Sequence, residues 1–122
     1  MPETQKSVLV VDDEEMIREA VVMDLESQRY KTYQANNGHE AWDIFQKNKP
    51  DLVVTDVRMP NGDGIELLKR IRAIDPDFPV ILFITGYKDI SDEDAIAQGV
   101  NAIIQKPFTR KTLKAEIEKY LH

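Results

Sequence analysis

Cysteine is absent from the 122 residues, and histidine occurs only at positions 39 and 122. A disulfide framework and a thiolate metal centre are therefore excluded, and two histidines so far apart in sequence give no sign of an imidazole site. No apolar stretch approaches the ~20 residues needed to span a bilayer. The opening MPETQKSVLVV lacks the basic segment and long apolar run of a secretion signal. Positive charge is short as well: 16 Lys and Arg face 22 Asp and Glu, for a formal net charge of -6 and a pI near 4.9. Such a surface repels phosphate backbones. These absences predict a soluble, cytoplasmic protein that engages neither membrane nor nucleic acid directly.

Hydrophobic residues make up 42% of the chain and charged residues 31%, a globular balance. The length suits one domain that buries about two-thirds of its unfolded surface. No internal repeat, linker or low-complexity segment divides it. Apolar runs at 8–11, 52–54, 80–84 and 102–104 are continuous, as strands covered on both faces are, and so imply a parallel sheet. The stretch YKTYQA at 30–35 alternates instead and reads as a strand near an edge. Helical patterning fills the intervals. Ile17, Val21 and Leu25 recur every fourth residue, and Leu113, Ile117 and Leu121 make one stripe near the end. Asn37 with Glu40, Asp63 with Glu66 and Ser91 with Asp94 resemble helix starts. Pro50, Pro76 and Gly99 fall where helices stop. The predicted fold is α/β: five strands and five helices in strict alternation, joined by right-handed crossovers into one doubly wound sheet.

In such sheets ligands bind at the carboxyl ends of the strands, near the reversal of strand order. Asp12 and Asp13 follow the first run, Asp56 the third, Thr85 the fourth and Lys106 the fifth. Three carboxylates so close repel unless a cation sits among them. An all-oxygen set suits Mg²⁺, which needs only one or two carboxylates. Lysine and hydroxyl suit a phosphoryl group, and a carboxylate beside them can become an acyl phosphate. Each residue also has a plainer role. Asp12 or Asp13 can cap the first helix, and Asp56 can begin the turn into MPNGDG. Thr85 can be an ordinary strand residue, and Lys106 a solvated lysine.

From VLVVDDE through DLVVTDVRMPNGDGIELL and VILFITGY to AIIQKPF, nearly the whole chain resembles the CheY-like receiver domain of two-component response regulators. The resemblance implies a flavodoxin-like (βα)5 fold over residues 1–122, a single receiver domain with no output domain in this chain. It implies Asp56 as phosphoacceptor, served by a histidine kinase, a phosphotransfer protein or a small phosphodonor. Asp13, Asp56 and the backbone carbonyl of Arg58 would ligate Mg²⁺, with Asp12 acting through water. Lys106 and Thr85 would grip the phosphoryl group, helped by the amides of Arg58 and Gly86. Met59, Pro60 and Gly64 match the turn after the acceptor, where glycine allows backbone angles other residues resist, and the peptide before Pro107 is expected to be cis. Glu14 and Glu15 are assigned no more than a place in the first turn of the next helix.

The implied partners are a kinase chosen by exposed residues of the first helix, a downstream protein or an absent output domain, and a transient second copy through the last two helices. Two departures stand out. Ile103 replaces the aromatic residue the family usually carries three positions before the lysine, so the helix at 91–98 and the last strand are expected to move with a smaller lever. Arg58 and Tyr87 flank the site, either shielding the acyl phosphate or stacking on the surface. Arg58 also occupies the position at which aspartyl-phosphate phosphohydrolases place a second aspartate, which argues against that rival. Another rival is an interaction module that binds without phosphorylation; it would bind a partner equally well with Asp56→Asn.

Overall fold

A computed structural model describes residues 5–59, 63–86 and 92–121. Their elements alternate as expected. They are β1 (Ser7–Val11), α1 (Glu15–Ser27), β2 (Lys31–Ala35), α2 (Gly38–Asn48), β3 (Leu52–Asp56), α3 (Gly64–Ile74), β4 (Val80–Thr85), α4 (Asp92–Ala97), β5 (Ala102–Gln105) and α5 (Arg110–Tyr120). All strand pairings are parallel, in the order β2-β1-β3-β4-β5. The alternating strand at 30–35 is thus an edge, half wetted as its pattern implied.

Within each inner strand, successive side chains enter opposite layers, because the strand repeat is two residues. Leu9, Val11, Val53, Ile81 and Phe83 pack with Ala41 and Phe45 of α2, Leu67, Leu68 and Ile71 of α3 and Ala95 of α4. Val8, Val10, Leu52, Val54, Leu82 and Ile84 pack with Val21, Val22 and Leu25 of α1 and Leu113 and Ile117 of α5. Both faces are therefore covered, which is why the runs read as continuously apolar.

Helix boundaries follow local chemistry. Asn37 and Asp63 cap α2 and α3 by accepting the amides of Glu40 and Glu66, each at 2.8 Å. Thr109 does the same for Thr112 at 3.1 Å at the start of α5, a cap the sequence reading did not name. Ahead of Pro50, α2 closes on Lys49 in the left-handed conformation (φ 46°). Gly99 follows α4 with φ 108°, a backbone angle that favours glycine. Ser91, expected to start α4, lies outside the described residues, as do Pro60 and Tyr87.

The register aligns the strand ends. Val11 lies opposite Thr55, Asp56 opposite Ile84, and Thr85 opposite Gln105. The residues that follow these ends therefore converge on one rim of the sheet, at the β1/β3 reversal.

Candidate phosphoryl-transfer site

Two carboxylates line this rim in near-complete burial: Asp12 is 2% exposed and Asp56 8%. Asp13, beside them, is exposed. Carboxylate oxygens of Asp12, Asp13 and Asp56 all lie within 4.8 Å of one another. Across the rim, the Lys106 ammonium reaches Asp12 Oδ2 at 3.3 Å, Asp56 Oδ2 at 3.2 Å and Glu14 Oε1 at 3.2 Å. Burial raises the pKa of Asp12 above the ordinary carboxylate value in spite of Lys106. Burial raises that of Asp56 too, with repulsion from Asp12 adding to it. Burial works against the charge on Lys106, but Asp12 and Asp56 outweigh it and hold the ammonium above the usual lysine value. The electrostatics are those of a site with more negative charge than one lysine can balance.

Local folding fixes each member. Asp12 does not cap α1, whose N-cap residue is Glu14, but lies just ahead of it. Its Oδ1 accepts the amide of Glu14 at 2.9 Å, which orients the chain into α1, while Oδ2 faces Lys106. Arg18 holds the Asp12 carbonyl at 2.9 Å from the next turn of α1. Behind Asp56, the Thr55 hydroxyl donates to the Asp56 carbonyl at 2.9 Å. The Gly64 amide donates to the Val57 carbonyl at 2.8 Å, closing the turn after β3. Gly64 is required here for space: a Cβ would collide with the carbonyl oxygen of Asp56, and its φ is not in the left-handed region. That replaces the backbone-angle argument made from sequence. Met59, three residues after Asp56, is buried in the core layer that includes α2 and α3.

Thr85 closes β4 in near-complete burial, and its carbonyl accepts the amide of Lys106 at 2.8 Å, tying the ends of β4 and β5 together. The Lys106–Pro107 peptide is cis, as expected. Arg58 and Gly86 are exposed at the rim, and among the described residues nothing lies within 4 Å of where a Cβ of Gly86 would sit. Ile103 is half-buried against the α2/α3 layer.

Sequence reasoning missed Glu14, which it confined to a helical turn; the structure brings its carboxylate onto Lys106. It also missed the buried Asp24, which accepts from Arg110 Nε at 2.5 Å and joins α1 to α5. Next to these, an open groove of about 720 Å³ runs between α1 and the start of α5, bordered by Met16, Ala20, Pro107, Phe108 and Lys106.

An all-oxygen donor set, two of its members buried and all within one ion's reach of each other, fits a hard divalent cation such as Mg²⁺. Carboxylate, ammonium and hydroxyl at one rim supply the nucleophile and charge partners that phosphoryl transfer needs.

Known proteins resemble this chain in sequence and fold. The sequence profile of the response regulator receiver domain matches residues 8–118. The sporulation initiation phosphotransferase F of Bacillus subtilis is 36% identical over 117 residues, 95% of this chain and 94% of that protein. The response regulator receiver protein CpdR of Brucella abortus is 37% identical over 117 residues, 95% of this chain and 97% of that protein. This chain spans about half the length of other relatives, transcriptional regulators among them. Among solved structures, the chemotaxis protein CheY4 of Vibrio cholerae superposes with a TM-score of 0.86 at 32% identity, covering 97% of this chain and 100% of that one. With the profile spanning most of the sequence and two near-full-length relatives above 30% identity, this chain belongs to the response regulator receiver domains of two-component signalling.

Proposed function

We propose that Asp56 is the phosphoacceptor and that its phosphorylation switches the affinity of this receiver for a downstream protein or a joined output domain. The observation that carries the reading is Lys106 Nζ at 3.2 Å from Asp56 Oδ2, on a rim where Asp12 and Asp13 stand within reach of the same point. A carboxylate oxygen of Asp56 attacks phosphorus, the P–N bond of a donor phosphohistidine breaks, and the imidazole leaves and takes up a proton. A small phosphodonor serves through the same attack.

Asp13, Asp56 and the Arg58 carbonyl would hold Mg²⁺, with Asp12 acting through water. When bound, the ion offsets the excess negative charge and orients the phosphoryl oxygens. Lys106 then bonds a phosphoryl oxygen in place of one of its carboxylate partners, and the Thr85 hydroxyl with the amides of Arg58 and Gly86 completes the grip. Ile103 transmits the change to β5 and α4 as a smaller lever than an aromatic ring. The phosphodonor protein docks along the groove beside Met16 and Lys106, where an apolar surface leads directly to the site. Phosphotransfer from a histidine kinase places this activity in the cytoplasm.

Intact masses after incubation with a small phosphodonor test the reading. One phosphoryl adduct is expected on the parent with Mg²⁺, and none with chelator or with Asp56→Asn. An adduct that persists in Asp56→Asn, or no adduct under any condition, refutes it.

A further inference from the structure

Glu14 occupies the N-cap position of α1, with φ -86° and ψ 103°, yet its side chain makes no capping hydrogen bond. Residues at this position ordinarily satisfy a free amide of the first turn. Glu14 instead extends to Lys106, placing Oε1 at 3.2 Å from Nζ. An ammonium has three N–H groups. Those of Lys106 face three carboxylates among the described residues: Asp12, Glu14 and Asp56. A phosphoryl oxygen on Asp56 can be bonded by Lys106 only if one of these three partners is given up.

The three are not equally easy to release. The side chains of Asp12 and Asp56 are 3% and 10% exposed, so withdrawing the ammonium from either leaves a buried oxygen without a partner. The Glu14 side chain is 59% exposed, and water replaces its bond at little cost. We propose that Glu14 is a positioning residue: it holds the third N–H of Lys106 in the resting site, and the incoming phosphoryl group displaces it. Resting on Asp56 as acceptor, the proposal makes Glu14 a brake on phosphorylation. Its carboxylate competes for the ammonium and repels an anionic donor at the same rim.

The variant Glu14→Gln keeps length and acceptor oxygen and removes the charge. Glu15→Gln, one residue along in the first turn and not among the partners of Lys106, makes the same charge change away from the ammonium. Before any phosphodonor is added, the Lys106 side-chain amine resonances are expected to shift in Glu14→Gln and to stay in place in Glu15→Gln. Equal spectra for the two variants overturn the Glu14–Lys106 pairing.

With Mg²⁺ and a small anionic phosphodonor, the half-saturating donor concentration is expected to fall about fivefold in Glu14→Gln, the effect of one like charge near 4 Å in a wet setting. This ratio should approach one at ~1 M salt, where screening extends over only ~3 Å. Melting temperatures of the two variants should agree, which separates a brake from a helix-capping effect. Parent-like half-saturation in Glu14→Gln, with adduct formed, overturns the brake and leaves Asp56 as acceptor intact. No adduct on parent or variant overturns the acceptor reading, and the brake with it.

Discussion

The two ends of the sheet solve opposite problems. At the carboxyl end, Asp12 and Asp56 are buried together with Lys106 between them, and burial raises both carboxyl pKa values. At the amino end of β4 and β5, Asn101 gathers partners from three elements. Its Oδ1 accepts the Ile81 amide at 2.8 Å and Arg72 Nη2 at 3.1 Å, and its amide donates to the Ile81 carbonyl at 2.8 Å. Its carbonyl accepts the Tyr120 hydroxyl at 3.1 Å, and Arg72 Nε reaches the Gly99 carbonyl at 2.8 Å. One end is satisfied by the protein's own groups. The other concentrates negative charge that a cation can offset, so ligand binding relieves a repulsion that the opposite end helps the fold to tolerate.

Breaking the satisfied end should have the larger effect. In Asn101→Ala the Ile81 amide and Arg72 are deprived of a shared acceptor, and a buried unpaired donor costs about 2 kcal/mol. Urea unfolding should therefore show a lowered midpoint with an unchanged slope. Neutralising the loaded end should have the opposite sign. Asp12→Asn keeps an oxygen for the Glu14 amide and leaves Lys106 with Asp56 and Glu14. In chelator it is expected to be more stable than the parent by on the order of 1 kcal/mol, because burial disfavours the charged carboxylate while Lys106 keeps two other carboxylate partners. Added Mg²⁺ should then stabilise the parent more than the variant, narrowing or reversing the difference.

The same contrast explains what was legible in the sequence. Continuous apolar runs, the alternation of the edge strand and the caps at Asn37 and Asp63 are local signals, and the elements form where they predict. The convergence of Asp12, Asp13, Asp56, Thr85 and Lys106 on one rim follows from strand order alone, because each stands at or just past a strand end. The Asn101 network left no trace. Its members lie 20 and 29 residues apart in sequence, and each is unremarkable in its own segment. Glu14 and Lys106 are separated by 92 residues. A glutamate at a helix start already has a sufficient local reason to be there, which concealed its pairing with the lysine. Gly64 was noticed for the wrong reason, since close approach of two backbones is invisible until the turn is built.

The smallest expected effect lies in the pH dependence, and it sharpens the comparison because the two ends titrate with opposite sign. The folded-state pKa values of Asp12 and Asp56 are raised by burial, so between the ordinary carboxylate value and these raised values the native chain binds more protons than the unfolded chain. Stability then falls as pH rises through that interval and levels off above it. Asp75, at the other end of α3, has the opposite sign. Amides of Asp77 and Phe78 lower its pKa, so its contribution is present above the ordinary value and is lost as pH falls through the lowered one. In chelator, the stability difference between Asp12→Asn and the parent should therefore grow as pH rises from acid toward neutrality. Asp75→Asn should lose ground to the parent over the same rise. A constant Asp12→Asn difference across the titration would show that the buried carboxylate carries no charge penalty.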